Sequence, residues 1–389
     1  MTTPPLPHRI LVTCDAVGGV WRHALDMARA LAAREVETVL VAFGPEPSAE
    51  QRAEARETPG ATLLWFDHPL DWLVGDETAL DGIPAVLEGV ADLYDVDLLH
   101  LNYPSQARGL SAARPVIAMS HSCLSTWWAA VHGGEPPGED FALNARLVRE
   151  GFARADRVLA PSRSHANALT RAYGRLPGLA VVRNASFASA LPPEPNDGSP
   201  RALAIGRWWD EGKNARVLDA AAALAATPIA AIGSTSGPQG QSVALLHAQA
   251  LGSLAPEATR TALSRAAVFV SPSRYEPFGL AVLEAAQEGC ALVLADIPTF
   301  RELWEDAAVF VDPDDAAGFA EAVDRIAGDA RLHAWQVTRA QARAALYAPQ
   351  LQAARLTEIY AQALAAAPDD VMRPPRAVTR EPARAAETV

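Results

Sequence analysis

The sequence predicts an α/β protein of two doubly wound domains, each a parallel sheet covered on both faces by helices. Three observations carry that prediction. Short apolar runs rich in β-branched residues alternate with amphipathic helical patterns along nearly the whole chain, and continuous apolar strands of this kind belong to sheets buried on both faces. One stretch, SFASALPPEPNDGSP (186–200), breaks the alternation with four prolines and no period. The chain has 389 residues, half of them hydrophobic, which is too long for one ordinary domain and gives material for more than one core.

The elements follow in order. ILVTC (10–14) is the first strand and leads through DAVGGV into WRHALDMARALAARE, apolar at helical spacing. TVLVAFG is the second strand, then LLWF (63–66), DLLHL (97–101), PVIAMS (115–120), RVLAPS (157–162) and LAVVRN (179–184), with helical patterns between most of them. These make a first domain over 1–185, with 186–200 as the linker. RALAIGR (201–207) restarts the pattern, and PIAAIG, AVFVSPS, ALVLAD and AVFVDP carry a second domain to residue 348. A helix, PQLQAARLTEIYAQALAAA (349–367), comes next. The tail, 368–389, is rich in Pro and charge, lacks a core face and is expected to be disordered.

Composition excludes several functions. A formal charge of −13 argues against a nucleic-acid partner, whose phosphates are held by clustered Lys and Arg. A small phosphorylated ligand needs only two or three local cations and stays open. Cys14, Cys123 and Cys290 are odd in number and far apart, with no metal-ligand spacing, so reduced, buried thiols in a cytoplasmic protein are expected. MTTPPLPHR has no apolar segment, so no signal peptide is read there. The most apolar stretch, 217–233, is interrupted by Asp219 and Pro228 and is no membrane span.

Open parallel sheets bind ligands outside the carboxyl ends of their strands, so the informative residues belong in strand-to-helix loops. In DAVGGV, Gly18 and Gly19 let the backbone approach a ligand at a helix start, or simply make a tight turn; the spacing is not the dinucleotide fingerprint. In AIGRWWDEGKNARVLDAA, Arg207 and Lys213 flank a turn that opens a helix. They are either a diphosphate site or solvated charges near Glu211 and Asp210. In EPFGLAVLE, Glu276 and Glu284 are separated by seven residues across a strand-to-helix transition, with Gly279 between them. The amides of Phe278, Gly279 and Leu280 suit a phosphate, and the carboxylates suit pairs of sugar hydroxyls. The alternative is two acidic residues favoured near a helix start by its dipole.

EPFGLAVLE resembles the E-x7-E signature of retaining nucleotide-sugar glycosyltransferases of the GT-B fold, the large family four. The resemblance covers nearly the whole chain. It includes the Gly-Gly loop, ADRVLAPSRSHANAL (155–169), the inter-domain strand ending at Asn184, the Arg-x5-Lys pair and GCALVLADIPTFRELWEDAAVFVDPDD (289–315). It implies two Rossmann-like domains facing a central cleft, an acceptor site in the first, a donor site in the second, and a last helix that crosses back to the first domain.

Carried over residue by residue, the resemblance implies that Arg207 and Lys213 hold the donor diphosphate and offset charge on the departing nucleotide, with the amides around Gly279 and Leu280. Glu276 would bind hydroxyls of the transferred hexose, and Glu284 the ribose. His121 would lie over the donor sugar, and Gly18 and Gly19 against the diphosphate or the acceptor. No cofactor and no metal are implied beyond the nucleoside-diphosphate sugar. The acceptor would be an alcohol on a glycan, a lipid-linked glycan or a small molecule. The protein would be cytoplasmic, with at most peripheral contact at the inner face of the membrane. Two departures bear on sugar identity: Ala185 follows Asn184 where glycine is usual, and Ile-Pro-Thr-Phe follows Asp296 in place of a glycine pair. Glu302 reads as a helix-start residue rather than a ligand, and His132 as a loop residue. Trp127 and Trp128 read as an acceptor platform, a membrane contact or core. The basic stretch 141–157 reads as a solvated helix face or an anionic-membrane contact. Two other readings share these residues: a sugar-nucleotide epimerase of the same fold, and a catalytically silent sugar-nucleotide-binding scaffold of polysaccharide assembly.

Overall fold

A computed structural model describes residues 6–133, 137–187 and 201–366. The predicted linker therefore lies mostly, and the predicted tail wholly, outside the described residues. The first domain is a seven-stranded parallel sheet of β1 (Arg9–Asp15), β2 (Glu37–Phe43), β3 (Ala61–Trp65), β4 (Leu98–Leu101), β5 (Val116–Met119), β6 (Arg157–Ala160) and β7 (Ala180–Val181), ordered β3-β2-β1-β4-β5-β6-β7. The second is a six-stranded parallel sheet of β8 (Ala202–Ile205), β9 (Ile229–Ile232), β10 (Gln249–Gly252), β11 (Val268–Ser271), β12 (Ala291–Ala295) and β13 (Val309–Val311), ordered β10-β9-β8-β11-β12-β13.

In both sheets the strand order reverses beside the first strand, between β1 and β4 and between β8 and β11. Adjacent strand ends there send their loops apart and leave a crevice. The Gly18–Gly19 loop follows β1, the Arg207–Lys213 turn follows β8, and Glu276 follows β11. The hydrophobic pattern thus sets these three loops at the switch points of the two sheets, while His121 follows the next strand, β5.

Each face of the first sheet has its own apolar layer. One contains Leu11, Val41, Phe43, Leu101 and Phe152. The other contains Ile10, Leu25, Met27 and Leu40, and it is completed by Leu356, Ile359 and Tyr360 of the helix Pro349–Ala366. The hydroxyl of Tyr360 lies 2.7 Å from Nδ1 of His100 in β4, a buried polar contact inside that layer. Helix Gly19–Ala32 is the neighbour of this last helix, presenting Trp21, Leu25 and Ala28 to the core at helical spacing. All three cysteines are free and buried.

Candidate active site

The two second-domain loops are fastened to each other before any ligand is considered. The carbonyl of Gly212 accepts from the amides of Arg274 at 2.9 Å and Tyr275 at 3.4 Å. Asn214, in the left-handed region at φ 58°, donates through Nδ2 to the carbonyls of Pro272 at 3.0 Å and Pro313 at 2.7 Å. Loops after β8, β11 and β13 are held as one frame, and Asn214 is a residue that sequence reasoning missed. Within this frame Lys213 Nζ is ion-paired directly with Glu276 Oε1, their side chains 17% and 13% exposed. Arg207 stays half exposed, 3.2 Å from Asp210 Oδ2 and with its guanidinium 5.4 Å from the Trp209 ring centre.

Glycine is required at Gly279. Its φ is +88°, a conformation costing an L-residue about 1–2 kcal/mol, and a Cβ there would come within 3.2 Å of Phe300. From it starts the helix Leu280–Gln287. None of the described residues accepts from the amides of Phe278, Gly279 or Leu280, so they form an open, positively polarised cradle. The Phe278 side chain takes no part; it is buried against Tyr347, ring centres 5.5 Å apart.

Glu284 lies just over one turn into that helix. Burial pushes its carboxyl up to about 7; Arg22 pulls against this, Asp26 reinforces it, and Arg260 and Glu288 contribute less. None of the described residues donates a hydrogen bond to it. A carboxyl whose folded value is raised above its unfolded one contributes stability below pH 4.5 that is lost as pH rises through 7. The unliganded protein is expected to lose on the order of 2–3 kcal/mol over that window from this group. Glu284→Gln should flatten this part of the curve and be more stable than the parent at pH 8. Urea midpoints at pH 5 and pH 8 test this; parallel shifts in both proteins would remove the assignment.

The first domain supplies the opposing wall. His121 follows β5, and its Nε2 lies 2.9 Å from Asn102 Oδ1. Asn102 donates through Nδ2 to the Thr13 carbonyl at 2.8 Å, so its oxygen faces His121, Nε2 carries the proton, and Nδ1 keeps a lone pair. Burial first, then the nearby His23, His100 and His165, hold the His121 imidazole well below its ordinary value and therefore neutral. His23 meets it edge-on, with 4.4 Å between ring centres. Among the described residues, nothing beyond its chain neighbours lies within 4 Å of a Cβ placed on Gly18, and one on Gly19 would be 3.7 Å from Leu280 Cδ1. The glycine loop of the first domain therefore opposes the helix start of the second.

Several contacts tie the two walls together. Tyr275, the neighbour of Glu276, places its hydroxyl 2.8 Å from Thr126 Oγ1 and 3.2 Å from Ser122 Oγ. Trp127 donates through Nε1 to Asp210 Oδ1 at 2.8 Å, and a Cβ on Gly212 would come 2.8 Å from that nitrogen. Ser162 Oγ donates to the Pro277 carbonyl at 2.7 Å.

Some expectations change. Glu302 is not at the start of its own helix, Pro298–Trp304; its carboxylate accepts from the amides of Arg163 at 2.9 Å and Ser164 at 2.7 Å, capping a helix of the other domain. His132 is more than a loop residue: it lies 4.0 Å from the Trp128 ring, and its Nε2 is 3.4 Å from Glu211 of the second domain. Trp127 and Trp128 are both partly buried, one tied to Asp210 and one set against Phe141 at 4.8 Å. In the basic helix, Arg146 pairs with Glu77 at 2.7 Å and Arg154 donates to the carbonyl of Leu110 at 3.0 Å, so these charges are engaged within the protein. Asp296 is taken up by Arg301, which forks onto both its oxygens at 2.6 Å and 2.5 Å.

Residues 17–185 match the family model described as Glycosyltransferase Family 4, and residues 199–329 match that of Glycosyl transferases group 1. A protein named glycogen synthase from Mycobacterium tuberculosis (strain H37Rv) is 27% identical over 360 residues, covering 80% of this chain and 83% of that protein. A phosphatidyl-myo-inositol mannosyltransferase from Mycolicibacterium smegmatis is 32% identical over 117 residues, 29% of this chain and 30% of that protein. Among solved structures, sucrose-phosphate synthase from Thermosynechococcus elongatus superposes with a TM-score of 0.74 at 18% identity, covering 92% of this chain and 100% of that one. Anabaena HepE in complex with UDP and glucose gives 0.71 at 18% identity, covering 91% and 100%. One family model falls on each sheet domain, and the whole two-domain arrangement recurs in the solved structures: the chain belongs to the group 1 glycosyltransferases and has the GT-B fold.

Proposed function

We propose that the protein is a retaining, metal-independent hexosyltransferase that moves a sugar from a nucleoside diphosphate to an alcohol acceptor, with a glycan as the acceptor class. The observation that carries this reading is the Lys213–Glu276 pair, which joins the loop of the half-exposed Arg207 to the loop of the open amides of Phe278, Gly279 and Leu280. Cations and free amides stand on the joined loops after β8 and β11, the groups a departing diphosphate requires. Carboxylates stand beside them, where sugar hydroxyls would be recognised. Glu276 here occupies the ammonium that the diphosphate would take, so donor binding exchanges one anion for another on Lys213 and frees Glu276 for the sugar. Glu284, without a donor, would take the ribose hydroxyls. His121 Nδ1, holding a lone pair, would accept from a hydroxyl of the hexose.

In the transfer step, the anomeric carbon–oxygen bond to the phosphate breaks as the acceptor oxygen bonds to the same face. The acceptor proton passes to the leaving phosphate oxygen. Arg207, Lys213 and the amides stabilise the charge on that phosphate, so no second carboxylate has to act as a base. The relatives support the reading: one is named a glycogen synthase, and one structural neighbour holds UDP and glucose.

The test is a thermal-shift panel with UDP, GDP, ADP and dTDP, run on the parent and on Arg207→Ala. A nucleotide at a hundred times its dissociation constant stabilises by about 2.7 kcal/mol. One of the four is expected to raise the melting temperature of the parent and to lose most of that effect in the variant. No shift at millimolar nucleotide would overturn the donor site.

A further inference from the structure

Away from the crevice, at the β7 edge of the first sheet, β6, β7 and the last helix enclose a pocket of about 410 Å³. Three guanidinium side chains line it. Arg157 opens β6, Arg175 stands in the turn after helix Arg163–Tyr173, and Arg355 comes from the last helix. Arg355 has Glu358 at 2.9 Å. The guanidiniums of Arg157 and Arg175 have neither an ion pair nor a hydrogen bond among the described residues. In a chain with a net charge of −13, three guanidiniums gathered with a single carboxylate partner, Glu358, run against the composition.

The local backbone is shaped to this arrangement. Gly178 has φ +46°, and a Cβ there would lie 2.5 Å from Arg157 Cδ and 2.6 Å from its Nη1. Any side chain at 178 would displace the guanidinium from where it lines the pocket. The rest of the lining is mixed: Leu176, Leu179 and Ile359 are apolar, and Gln362 offers an amide. A concavity of this size with an apolar floor and a few convergent polar groups suits a small molecule. Two unpaired guanidiniums select a phosphate, which they can fork onto. A neighbouring concavity of about 320 Å³ past Arg355 differs in kind: Arg163 and Arg183 border it together with Glu302, which lies 3.8 Å from Arg183.

We infer that this pocket binds a phosphomonoester of a small polyol, with Arg157 and Arg175 on the phosphate and Gln362 on the hydroxyls. It shares no residue with the Lys213–Glu276 site and does not depend on the donor reading. The same chemistry is offered by a soluble sugar phosphate and by a phosphoinositide headgroup, and the experiment separates them. Glucose 6-phosphate is titrated calorimetrically at constant ionic strength, with glucose as the uncharged control. Sedimentation with vesicles of phosphatidylcholine containing phosphatidylinositol 4-phosphate forms the second arm.

Saturable binding of glucose 6-phosphate, weakened by about tenfold or more in Arg157→Gln/Arg175→Gln, establishes the site for a soluble ligand. Vesicle binding lost in the same double variant, without soluble binding, establishes it for a headgroup. Binding of neither probe, or equal binding by parent and variant, overturns it. The unfolding midpoint of the double variant is expected to match the parent; if it does not, Arg175→Gln alone, on an exposed turn, carries the comparison.

Discussion

Glu276→Ala is expected to lower turnover by about 10²–10³-fold while leaving the binding of free nucleoside diphosphate intact or tighter. The two halves of that result have separate causes. In the transfer reading Glu276 holds hydroxyls of the moving sugar, so its removal lets the anomeric carbon drift from the position of attack. In the unliganded protein the same carboxylate sits on Lys213, so its removal also leaves the ammonium free for the incoming phosphate. A variant that is slow yet binds the nucleotide at least as well has lost a group that touches the sugar. Equal turnover in parent and variant, measured by initial rates at saturating donor, would remove Glu276 from the reaction.

Lys213→Ala should give the opposite signature. Nucleoside diphosphate affinity is expected to fall by about 10–100-fold, equivalent to roughly 1.4–2.8 kcal/mol. The unliganded protein should also be destabilised by about 2–4 kcal/mol, because Glu276 is left mostly buried without its partner. Lys213→Arg is not expected to rescue affinity. The Lys213 stem runs close to Gly206, where a Cβ would be 3.4 Å from its Cγ, and a planar fork does not fit where a point charge was seated. Calorimetric affinities and urea midpoints of the three proteins check both parts. Unchanged affinity in Lys213→Ala would return the pair to a structural role.

The fold was legible because strands buried on both faces write themselves as unbroken apolar runs, and of the thirteen described strands all but one match such a run. β10, QALG, was missed because it is a mostly exposed edge strand with no such run. LAVVRN was read as six residues, but only Ala180 and Val181 pair with β6. The loops that carry Glu276, Arg207 and His121 could be picked out because they follow strands. What sequence could not give was the partner of each residue across the crevice. Glu302 caps a helix that begins at Arg163, and Tyr275 reaches Thr126. Those separations leave no periodic trace. Asn214 escaped for a different reason: a polar residue at a helix start reads as an ordinary cap, and its left-handed backbone and two carbonyl partners exist only once three loops have met.

The last helix has a consequence for how the protein is made. Leu356, Ile359 and Tyr360 complete one apolar layer of the first sheet, yet the ribosome delivers them after the entire second domain. The first domain to be synthesised is therefore the last to be finished, and its sheet waits with an uncovered greasy face while the second domain, whose core draws on residues from Ala202 to Tyr347, emerges and folds. A nascent chain arrested before residue 349 would hold a complete second domain and an unsealed first one, the species on which a chaperone of the translating ribosome would be expected to settle.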